Sequence, residues 1–366
     1  MPFGYRIIDK VSKADADSIL LRWPQQAGTC QVPYVEADKA IAEIVRQLKD
    51  EQKASASLNK EKWYMKPMLV VLAAGMGSRY GGLKQMDKIG MDGEALLDYA
   101  VFDALRSGFG KVVFIIRHDI ERDFEDIVLA RMGDKVPFAL AYQEPDSLIP
   151  PAIFEAAKKA GRTKPWGTAH ALLCAGSAID APFAVLNADD FYGREAYEVM
   201  GRYLSGDVTE AAIVPYKLEK TLSPEGTVTR GVCTVENGYL SSVDELLLIK
   251  RDADGKIYNT FPDGTKKELA SDTPVSMNFW GYPPSILPAF EAYFNEFLQT
   301  RGGELKSECY LPLAADTFIK TGKTAFKVLE ADADWFGVTY KEDKETAVKR
   351  IAALTAQGVY PQGLWR

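Results

Sequence analysis

Strand-length apolar runs and helix-length segments alternate regularly from residue 68 onward. The apolar runs lie at residues 68–72, 112–116, 138–142, 183–186 and 211–214. The segments that follow predict helices at residues 95–107, 120–131, 168–178 and 195–204. Apolar strands that alternate with helices are typical of a mostly parallel sheet covered by helices. The pattern therefore predicts an α/β fold with such a sheet at its centre.

The pattern changes in the second half of the chain. Shorter alternating runs predict strands of a mixed-sheet region at residues 232–235, 239–243 and 275–282. Helices at 285–298 and 311–320, a strand at 325–329 and a last helix at 344–354 are predicted to follow. We assign residues 65–366 to one main domain. Residues 1–64 are predicted to form a short N-terminal extension and linker with a helix from residue 35 to 51, and their function cannot be read from the sequence.

Composition narrows the kinds of partner that the chain can have. Its 366 residues carry a formal net charge of -7, which disfavours broad binding to nucleic acid or to acidic membranes, because both need a basic surface. The four cysteines are scattered without CxxC spacing, and two histidines are too few for a histidine-built zinc site. No signal-peptide pattern and no 18-residue apolar span occurs in the sequence. We therefore expect a reduced, cytoplasmic protein that does not enter the membrane; whether it forms a homo-oligomer stays open.

A glycine-rich loop directly follows the first predicted strand of the main domain. Residues 72–85 read Leu-Ala-Ala-Gly-Met-Gly-Ser-Arg-Tyr-Gly-Gly-Leu-Lys-Gln. Its small residues allow backbone N–H groups to close around a polyphosphate, and Arg79 and Lys84 supply the neutralising charge. The loop matches neither GxxxxGK[ST] nor GxGxxG. It predicts a phosphate cradle; the alternative is a tight glycine turn with surface cations.

The same loop resembles the signature of the nucleotidyltransferase superfamily that includes the sugar-1-phosphate nucleotidylyltransferases. The resemblance implies a Rossmann-like (GT-A-like) fold in which Arg79 and Lys84 are catalytic, holding the triphosphate and orienting the attacking phosphate. It also implies nucleotide-binding roles for the other loop residues, namely Leu72, Ala73, Ala74, Gly75, Gly77 and Ser78. Leu83 stands where the family often has proline, and the short Arg-to-Lys spacing is also similar to cytidylyl- and molybdopterin guanylyltransferases.

A second stretch, residues 161–174, resembles the Gly-Thr-Gly-His-Ala segment of N-acetylglucosamine-1-phosphate uridylyltransferases. That resemblance implies that Gly167 and Thr168 contact uracil and that Gln143 reads the base edge, which favours UTP, although thymidylyltransferases use similar contacts. From the residues alone, Thr168 is equally well a helix N-cap. His170 is predicted to be a buried helix histidine rather than a catalyst.

Two cations precede this stretch in a predicted loop. Arg162 and Lys164 are interpreted either as a phosphate clamp or as solvated charges, and the sequence does not choose between these readings.

Paired acids end the apolar run at residues 183–186. Asp189 and Asp190 are expected at the carboxyl edge of the sheet, where open α/β sheets bind ligands. One or two carboxylates with substrate phosphate oxygens suit Mg²⁺. The family resemblance assigns the metal to Asp189; the alternatives for Asp190 are that it takes this role in place of Asp189 or that it caps the next helix.

The resemblance also implies acceptor-binding roles for Gly231, Glu245 and Asn278. Leu246 replaces the lysine expected beside the glutamate, so Arg230 or Lys250 is the predicted substitute.

A second metal ligand found in many relatives aligns with Gly337 or Thr339, neither of which is a strong ligand. Asp334 is a candidate replacement for that ligand.

These observations predict an Mg²⁺-dependent transfer of UMP from UTP to a sugar 1-phosphate, with release of pyrophosphate. The acceptor phosphate would attack the α-phosphorus in line, with no protein nucleophile. The alternatives are cytidylyl or guanylyl transfer to another phosphorylated small molecule, or an inactive regulator that binds nucleotide sugars.

Overall fold

The computed structural model describes the backbone of residues 6–7, 18–22 and 29–33, and it describes residues 66–75, 86–224, 226–338 and 343–366 with their side chains. The chain divides into two compact units, Met1–Trp63 and Tyr64–Arg366. The predicted helix at 35–51 and the linker after it lie outside the described residues.

The first unit contains a small antiparallel sheet. Its strands are β1 (Arg6–Ile7), β2 (Ser18–Arg22) and β3 (Thr29–Pro33), in that spatial order. Residue 6 pairs with residue 22, and residue 18 pairs with residue 33.

Four parallel strands form one half of the large sheet in the second unit. They are β4 (Met68–Leu72), β5 (Lys111–Ile116), β6 (Phe138–Tyr142) and β7 (Phe183–Asn187), in the spatial order β7-β4-β5-β6. Successive residues of β4 bury their side chains on opposite faces, as the strand periodicity of two requires. Leu69 and Val71 pack in one core cluster, and Met68 and Val70 pack in another. A sheet covered on both faces explains why these strands read as continuous apolar runs.

The other half of the large sheet is mixed. β16 (Trp280–Tyr282) runs antiparallel between β7 and β9 (Ala211–Ile213), and β17 (Phe326–Val328) runs parallel to β9. A long hairpin of β11 (Val228–Glu236) and β12 (Tyr239–Arg251) extends the sheet, and a smaller hairpin of β13 (Ile257–Thr260) and β14 (Lys266–Leu269) continues from β12. The edge strands are β15 (Pro274–Ser276), which pairs with β11, and β10 (Tyr216–Lys217), which pairs with β15. β8 (Asp190–Phe191) and β18 (Phe336–Gly337) form a separate two-stranded sheet. The predicted class, a mostly parallel central sheet with a mixed region and flanking helices, is confirmed.

Seven helices of at least seven residues lie in the described part of the main unit. They are α1 (Leu96–Arg106), α2 (Pro151–Lys159), α3 (Thr168–Cys174), α4 (Arg194–Leu204), α5 (Leu287–Arg301), α6 (Leu311–Lys320) and α7 (Asp343–Ala356). Within the described residues, no helix is long and apolar enough to cross a membrane.

Three predicted elements differ from the structure. The helix expected at 120–131 is an irregular segment that contains a π-helical stretch, Glu125–Leu129, between two short α-helical pieces. The helix expected at 168–178 ends as an α-helix at Cys174 and continues only as a 3₁₀ turn. The strand expected at 275–282 is broken into β15 and β16, because Asn278 between them takes a left-handed backbone with φ of 69°.

Candidate active site

The carboxyl ends of β4, β5 and β7 meet where the glycine-rich loop begins. Leu72 pairs with Asn187 across β4 and β7, and the N–H of Ala188 donates to the carbonyl of Leu72 at 3.2 Å. On the other side, the N–H of Ala73 donates to the carbonyl of Ile115 at 2.9 Å. The start of the loop therefore lies beside the turn that carries the paired acids.

The described part of this loop comprises four of the predicted nucleotide-binding residues, Leu72, Ala73, Ala74 and Gly75. The other two, Gly77 and Ser78, and the predicted catalytic residues Arg79 and Lys84 lie outside the described residues. Their roles stay predictions.

Arg117, which the sequence analysis missed, holds the beginning of the loop. It directly follows β5, and its Nη1 donates to the carbonyl of Ala74 at 3.0 Å. Its Nε and Nη2 donate to the two carboxylate oxygens of Asp119, each at 2.8 Å. This bidentate pair fixes the plane of the guanidinium group. A sequence signal for Arg117 was available. It is a cation directly after an apolar strand, and that strand ends at the same sheet edge as the strand before the glycine-rich loop.

Gln143 follows β6 and connects to the stretch that contains Gly167 and His170. Its Nε2 lies 3.1 Å from the carbonyl oxygen of Gly167 and 3.1 Å from Nδ1 of His170. His170 is fully buried, and its Nε2 lies 2.6 Å from the carbonyl oxygen of Ser147. Burial lowers the pKa of His170 to about 4. The ring is therefore neutral at physiological pH, in keeping with the predicted buried helix histidine.

Gly167 occupies a position that no other residue fits. Its φ of 98° disfavours any side chain, and a Cβ would lie 2.5 Å from the carbonyl oxygen of Cys309. The backbone of Cys309 pairs with both sides of this glycine, since its N–H donates to Trp166 at 2.8 Å and its carbonyl accepts from Ala169 at 2.9 Å. The segment before α6 thus holds the start of α3 in place through two backbone hydrogen bonds.

The interpretation of Thr168 as a helix N-cap is wrong. Gly167 is the N-cap of α3, and Thr168 is its first helical residue. The Thr168 hydroxyl instead accepts the N–H of Leu311 at 3.0 Å, which satisfies a donor in the first turn of α6.

Both interpretations of Arg162, as part of a phosphate clamp and as a solvated charge, are wrong. Its guanidinium group donates to four backbone carbonyls, those of Lys164, Pro165, Glu304 and Ser307, at distances between 2.6 and 3.1 Å. It also stacks on the ring of Trp166, with 3.8 Å between Cζ and the ring centroid. These donors organise a loop and do not clamp a phosphate. Lys164 is paired with Glu308 at 3.1 Å.

Asp190 is buried in a hydrogen-bonded network. Its Oδ2 accepts from Nδ2 of Asn187 at 2.9 Å and lies 3.2 Å from the hydroxyl of Tyr192. Oδ1 of Asn187 accepts from Nδ2 of Asn278 at 2.8 Å. The Asn187 amide thus connects Asp190 to a predicted acceptor-binding residue.

Burial, together with the negative charge of Asp189, raises the pKa of Asp190 to about 7. The alternative cap role of Asp190 is wrong, since Gly193 is the N-cap of α4 and that end has no side-chain cap bond. Asp189 lies in the turn between β7 and β8 and is the more exposed of the two acids.

The donor set at this edge fits a magnesium ion that takes one protein carboxylate. Among the described residues there is no cluster of three or more His, Cys, Asp or Glu side chains that could hold a metal by themselves. Mg²⁺ does not need such a cluster, because it prefers one or two carboxylates together with substrate phosphates and water. Asp189 is the carboxylate that suits this role.

Gly337 is excluded as a second metal ligand for a steric reason. It pairs with Asp190 across β18 and β8, and a Cβ would lie 2.3 Å from Oδ1 of Asp190. A ligand side chain therefore has no room at 337. Thr339 lies outside the described residues, and Asp334 forms ion pairs with Lys220 at 3.0 Å and Arg350 at 3.8 Å.

A cavity of about 210 Å³ brings together predicted residues from separate parts of the chain. Gly231 and Glu245 face each other across β11 and β12. The residues that line the cavity are Thr168, Asn187, Gly231, Val243, Glu245, Asn278, Tyr310, Pro312 and Leu313. All three predicted acceptor-binding residues and one predicted base-binding residue therefore share one cavity. Sequence analysis missed the contribution of α6, whose first residues carry no recognisable motif.

The predicted substitutes for the missing lysine do not line this cavity. Arg230 is opposite Leu246 across β11 and β12. Successive side chains of a strand point to opposite faces of the sheet, so Arg230, the neighbour of Gly231, lines a separate cavity of about 880 Å³ with Trp335 and Arg350. Lys250 is paired with Asp252 at 3.3 Å.

Comparison with known proteins identifies the fold of the chain. No family model matches the sequence, and no curated protein matches it. The structure matches that of the inositol-1-phosphate CTP transferase from T. maritima with a TM-score of 0.53 and 14% sequence identity, over 80% of this chain and 97% of that chain. The chain therefore has a nucleotidyltransferase fold, and the resemblance seen in the sequence is confirmed at the level of the fold.

Two further solved structures have slightly lower similarity. One is a UDP-glucose pyrophosphorylase from Acinetobacter baumanii, with a TM-score of 0.49 and 15% identity over 81% of this chain and 99% of that chain. The other is described as a glucose-1-phosphate thymidylyltransferase from Bacillus anthracis, with a TM-score of 0.49 and 13% identity over 78% of this chain and 95% of that chain.

Proposed function

We propose that this protein is an Mg²⁺-dependent nucleotidyltransferase that transfers UMP from UTP to a sugar 1-phosphate and releases pyrophosphate. The observation that carries the proposal is the shared cavity, in which Thr168 from the base-binding stretch lies with Gly231, Glu245 and Asn278 from the acceptor stretches. The turn with Asp189 begins beside the first residues of the phosphate loop. One site thus combines a nucleotide, a metal carboxylate and an acceptor.

Different residues have different roles in an in-line displacement at the α-phosphorus. Arg79 and Lys84 neutralise the triphosphate, and Arg117 keeps the start of the loop in place through Ala74. Asp189 would hold Mg²⁺, which would supply Lewis-acid stabilisation of the negative charge that develops on the phosphates. No protein nucleophile is needed, because positioning and charge stabilisation supply the catalysis.

The cavity suits the uncharged ring of an acceptor. Glu245 is its one charged lining residue among those described, and its carboxylate can accept hydrogen bonds from ring hydroxyls. Val243, Pro312 and Leu313 offer an apolar wall for the C–H face of the ring. The acceptor's phosphate then lies outside this cavity, toward Asp189.

A pyrophosphate-release screen of the four common NTPs against a set of sugar 1-phosphates tests the proposal. We expect release with UTP, Mg²⁺ and at least one sugar 1-phosphate. Asp189→Ala should lower the rate at least about 100-fold, because the ion loses its protein ligand. Asp180→Ala is the matched control, since Asp180 is an exposed acid before the opposite end of β7.

Two results would contradict the proposal in different ways. Full activity of Asp189→Ala would rule out the metal assignment. Binding of nucleotide sugars without pyrophosphate release, for every NTP and acceptor tested, would favour the inactive regulator, and release with CTP or GTP alone would reassign the donor.

A further inference from the structure

The side-chain amide of Gln143 is held in one orientation by two hydrogen-bond acceptors. Its Nε2 lies 3.1 Å from the carbonyl oxygen of Gly167 and 3.1 Å from Nδ1 of His170. The carbonyl oxygen can only accept, so the amide nitrogen and not the amide oxygen must face it. The two N–H bonds of the Gln143 amide are thereby both used.

The same reasoning fixes the tautomer of His170. Nε2 of the ring lies 2.6 Å from the carbonyl oxygen of Ser147, which can only accept. Nε2 therefore carries the hydrogen, and in a neutral ring Nδ1 is then an acceptor. Burial of the ring keeps it neutral by lowering its pKa to about 4. Ser147, His170 and Gln143 form one consistent chain of donors and acceptors.

We infer that His170 is a positioning residue that turns the Oε1 atom of Gln143 toward the nucleobase, so that the site selects a pyrimidine that carries a hydrogen at ring atom N3. A flipped amide would place Oε1 against two acceptors at once, which is unfavourable. Among the described residues, Oε1 of Gln143 has no hydrogen-bond donor of its own. This inference rests on the proposed function, in which Gln143 reads the base.

The fixed orientation of the Gln143 amide distinguishes between pyrimidine bases, because they differ at ring atom N3. Uracil and thymine present an imide N–H at N3, which a fixed carbonyl oxygen accepts. Cytosine presents an unprotonated N3, which faces the same oxygen as a second acceptor. A buried or partly buried acceptor without a donor costs binding energy, so UTP and TTP should bind better than CTP.

His170→Leu tests the inference. The variant removes one of the two acceptors that hold the amide, so a turned amide opposes only the Gly167 carbonyl and becomes more populated. We expect the ratio of kcat/KM for UTP over CTP to fall about tenfold. His170→Asn keeps an acceptor near the Nδ1 position and should retain most of the selectivity. Cys174→Ala is the matched control, because it removes the sulfur that lies 3.5 Å from Nε2 and leaves both ring bonds in place.

Equilibrium binding separates this inference from the proposed function. Calorimetry with UTP and CTP in the presence of Mg²⁺ measures selectivity even if no pyrophosphate is released. Folded His170→Leu with an unchanged UTP-to-CTP affinity ratio would overturn the inference. Absence of turnover together with a lowered affinity ratio would overturn the proposed activity and leave the inference intact.

Nitrogen NMR of the unmodified protein is a second test that does not depend on any variant folding. We expect one of the two histidine rings to be the Nε2–H tautomer, without titration between pH 8 and pH 5. A His118→Gln protein assigns that signal to His170. An Nδ1–H tautomer, or a ring that titrates near its ordinary pKa, would contradict the inference.

Discussion

At the scale of single residues, the paired acids after β7 show how two neighbouring carboxylates acquire different properties. Asp190 is 8% exposed and is bonded to Asn187, whereas Asp189 lies in the turn and is more exposed. Desolvation disfavours the charged form of Asp190, and the adjacent charge of Asp189 adds to that effect. Asp190 thus supports the network that holds Asn187 and Asn278, and Asp189 is the carboxylate to which the proposed function assigns the ion.

Asp190→Asn should change the pH dependence of the free energy of unfolding. The folded-state pKa of about 7 exceeds the ordinary value of 3.8, so the stabilising proton is present at low pH and is lost as pH rises toward 7. Relative to wild type, the variant should gain a few kcal/mol in unfolding free energy between pH 4 and pH 8.

Urea unfolding at several pH values measures this difference. Asp180→Asn, an exposed acid, serves as the control and should show no such trend. A constant difference between wild type and Asp190→Asn across the range would show that Asp190 is ionised in the folded protein.

At the scale of elements, the connection before α6 is held to the start of α3 by polar contacts. Arg162 reaches carbonyls on both segments, and Thr168 caps a donor of α6 through the N–H of Leu311. Cys309 adds two backbone bonds around Gly167. This arrangement connects the base-binding stretch with the residues of α6 that line the acceptor cavity.

Arg162→Lys should lower the free energy of unfolding by about 1–3 kcal/mol. A single ammonium group cannot reach four carbonyls or reproduce the planar stack on Trp166. Arg122→Lys is the matched control, since the Arg122 side chain is 92% exposed and forms only a 3.8 Å ion pair with Asp126. Chemical unfolding of both variants measures the effect, and equal stability of the two would show that the Arg162 bonds contribute nothing.

At the scale of the whole main unit, the C-terminal residues pack on α1, which follows the phosphate loop in sequence. Nε1 of Trp365 donates to Oδ1 of the fully buried Asp98 at 2.8 Å. The hydroxyl of Tyr360 donates to Asp103 at 2.7 Å, and Arg131 donates to Oδ2 of Asp98 at 2.6 Å. These long-range bonds add to the local partners of the two buried carboxylates, which are the N–H of Ala95 for Asp98 and the guanidinium group of Arg106 for Asp103.

Trp365→Phe should destabilise this part of the protein by about 1–3 kcal/mol, because it removes a close donor from a buried carboxylate. Tyr239→Phe is the control, since that hydroxyl makes an exposed bond to Glu210 at 3.3 Å. Thermal unfolding of the two variants should give a clearly lower Tm for Trp365→Phe. Matching Tm values would mean that the indole N–H adds no stability.

Periodicity and local composition predicted most strands and helices of the main unit. The β4 and α6 bounds match the structure at both ends, since a buried strand and an amphipathic helix leave regular apolar patterns. The hairpin of β13 and β14 was missed, because its strands are only four residues long and rich in polar residues, including the buried Asn259. The break at Asn278 was also missed, since left-handed backbone at a non-glycine residue has no reliable pattern.

The sequence by itself determined the alternation of strands and helices, the position of the phosphate loop and the paired acids at a strand end, because these depend on neighbours along the chain. Only the tertiary structure decided which acid is buried, on which face of β11 Arg230 lies and that α6 lines the acceptor cavity. Those outcomes depend on contacts between residues far apart in sequence, such as Trp365 with Asp98. Desolvation and steric fit at such contacts act only once the chain is folded.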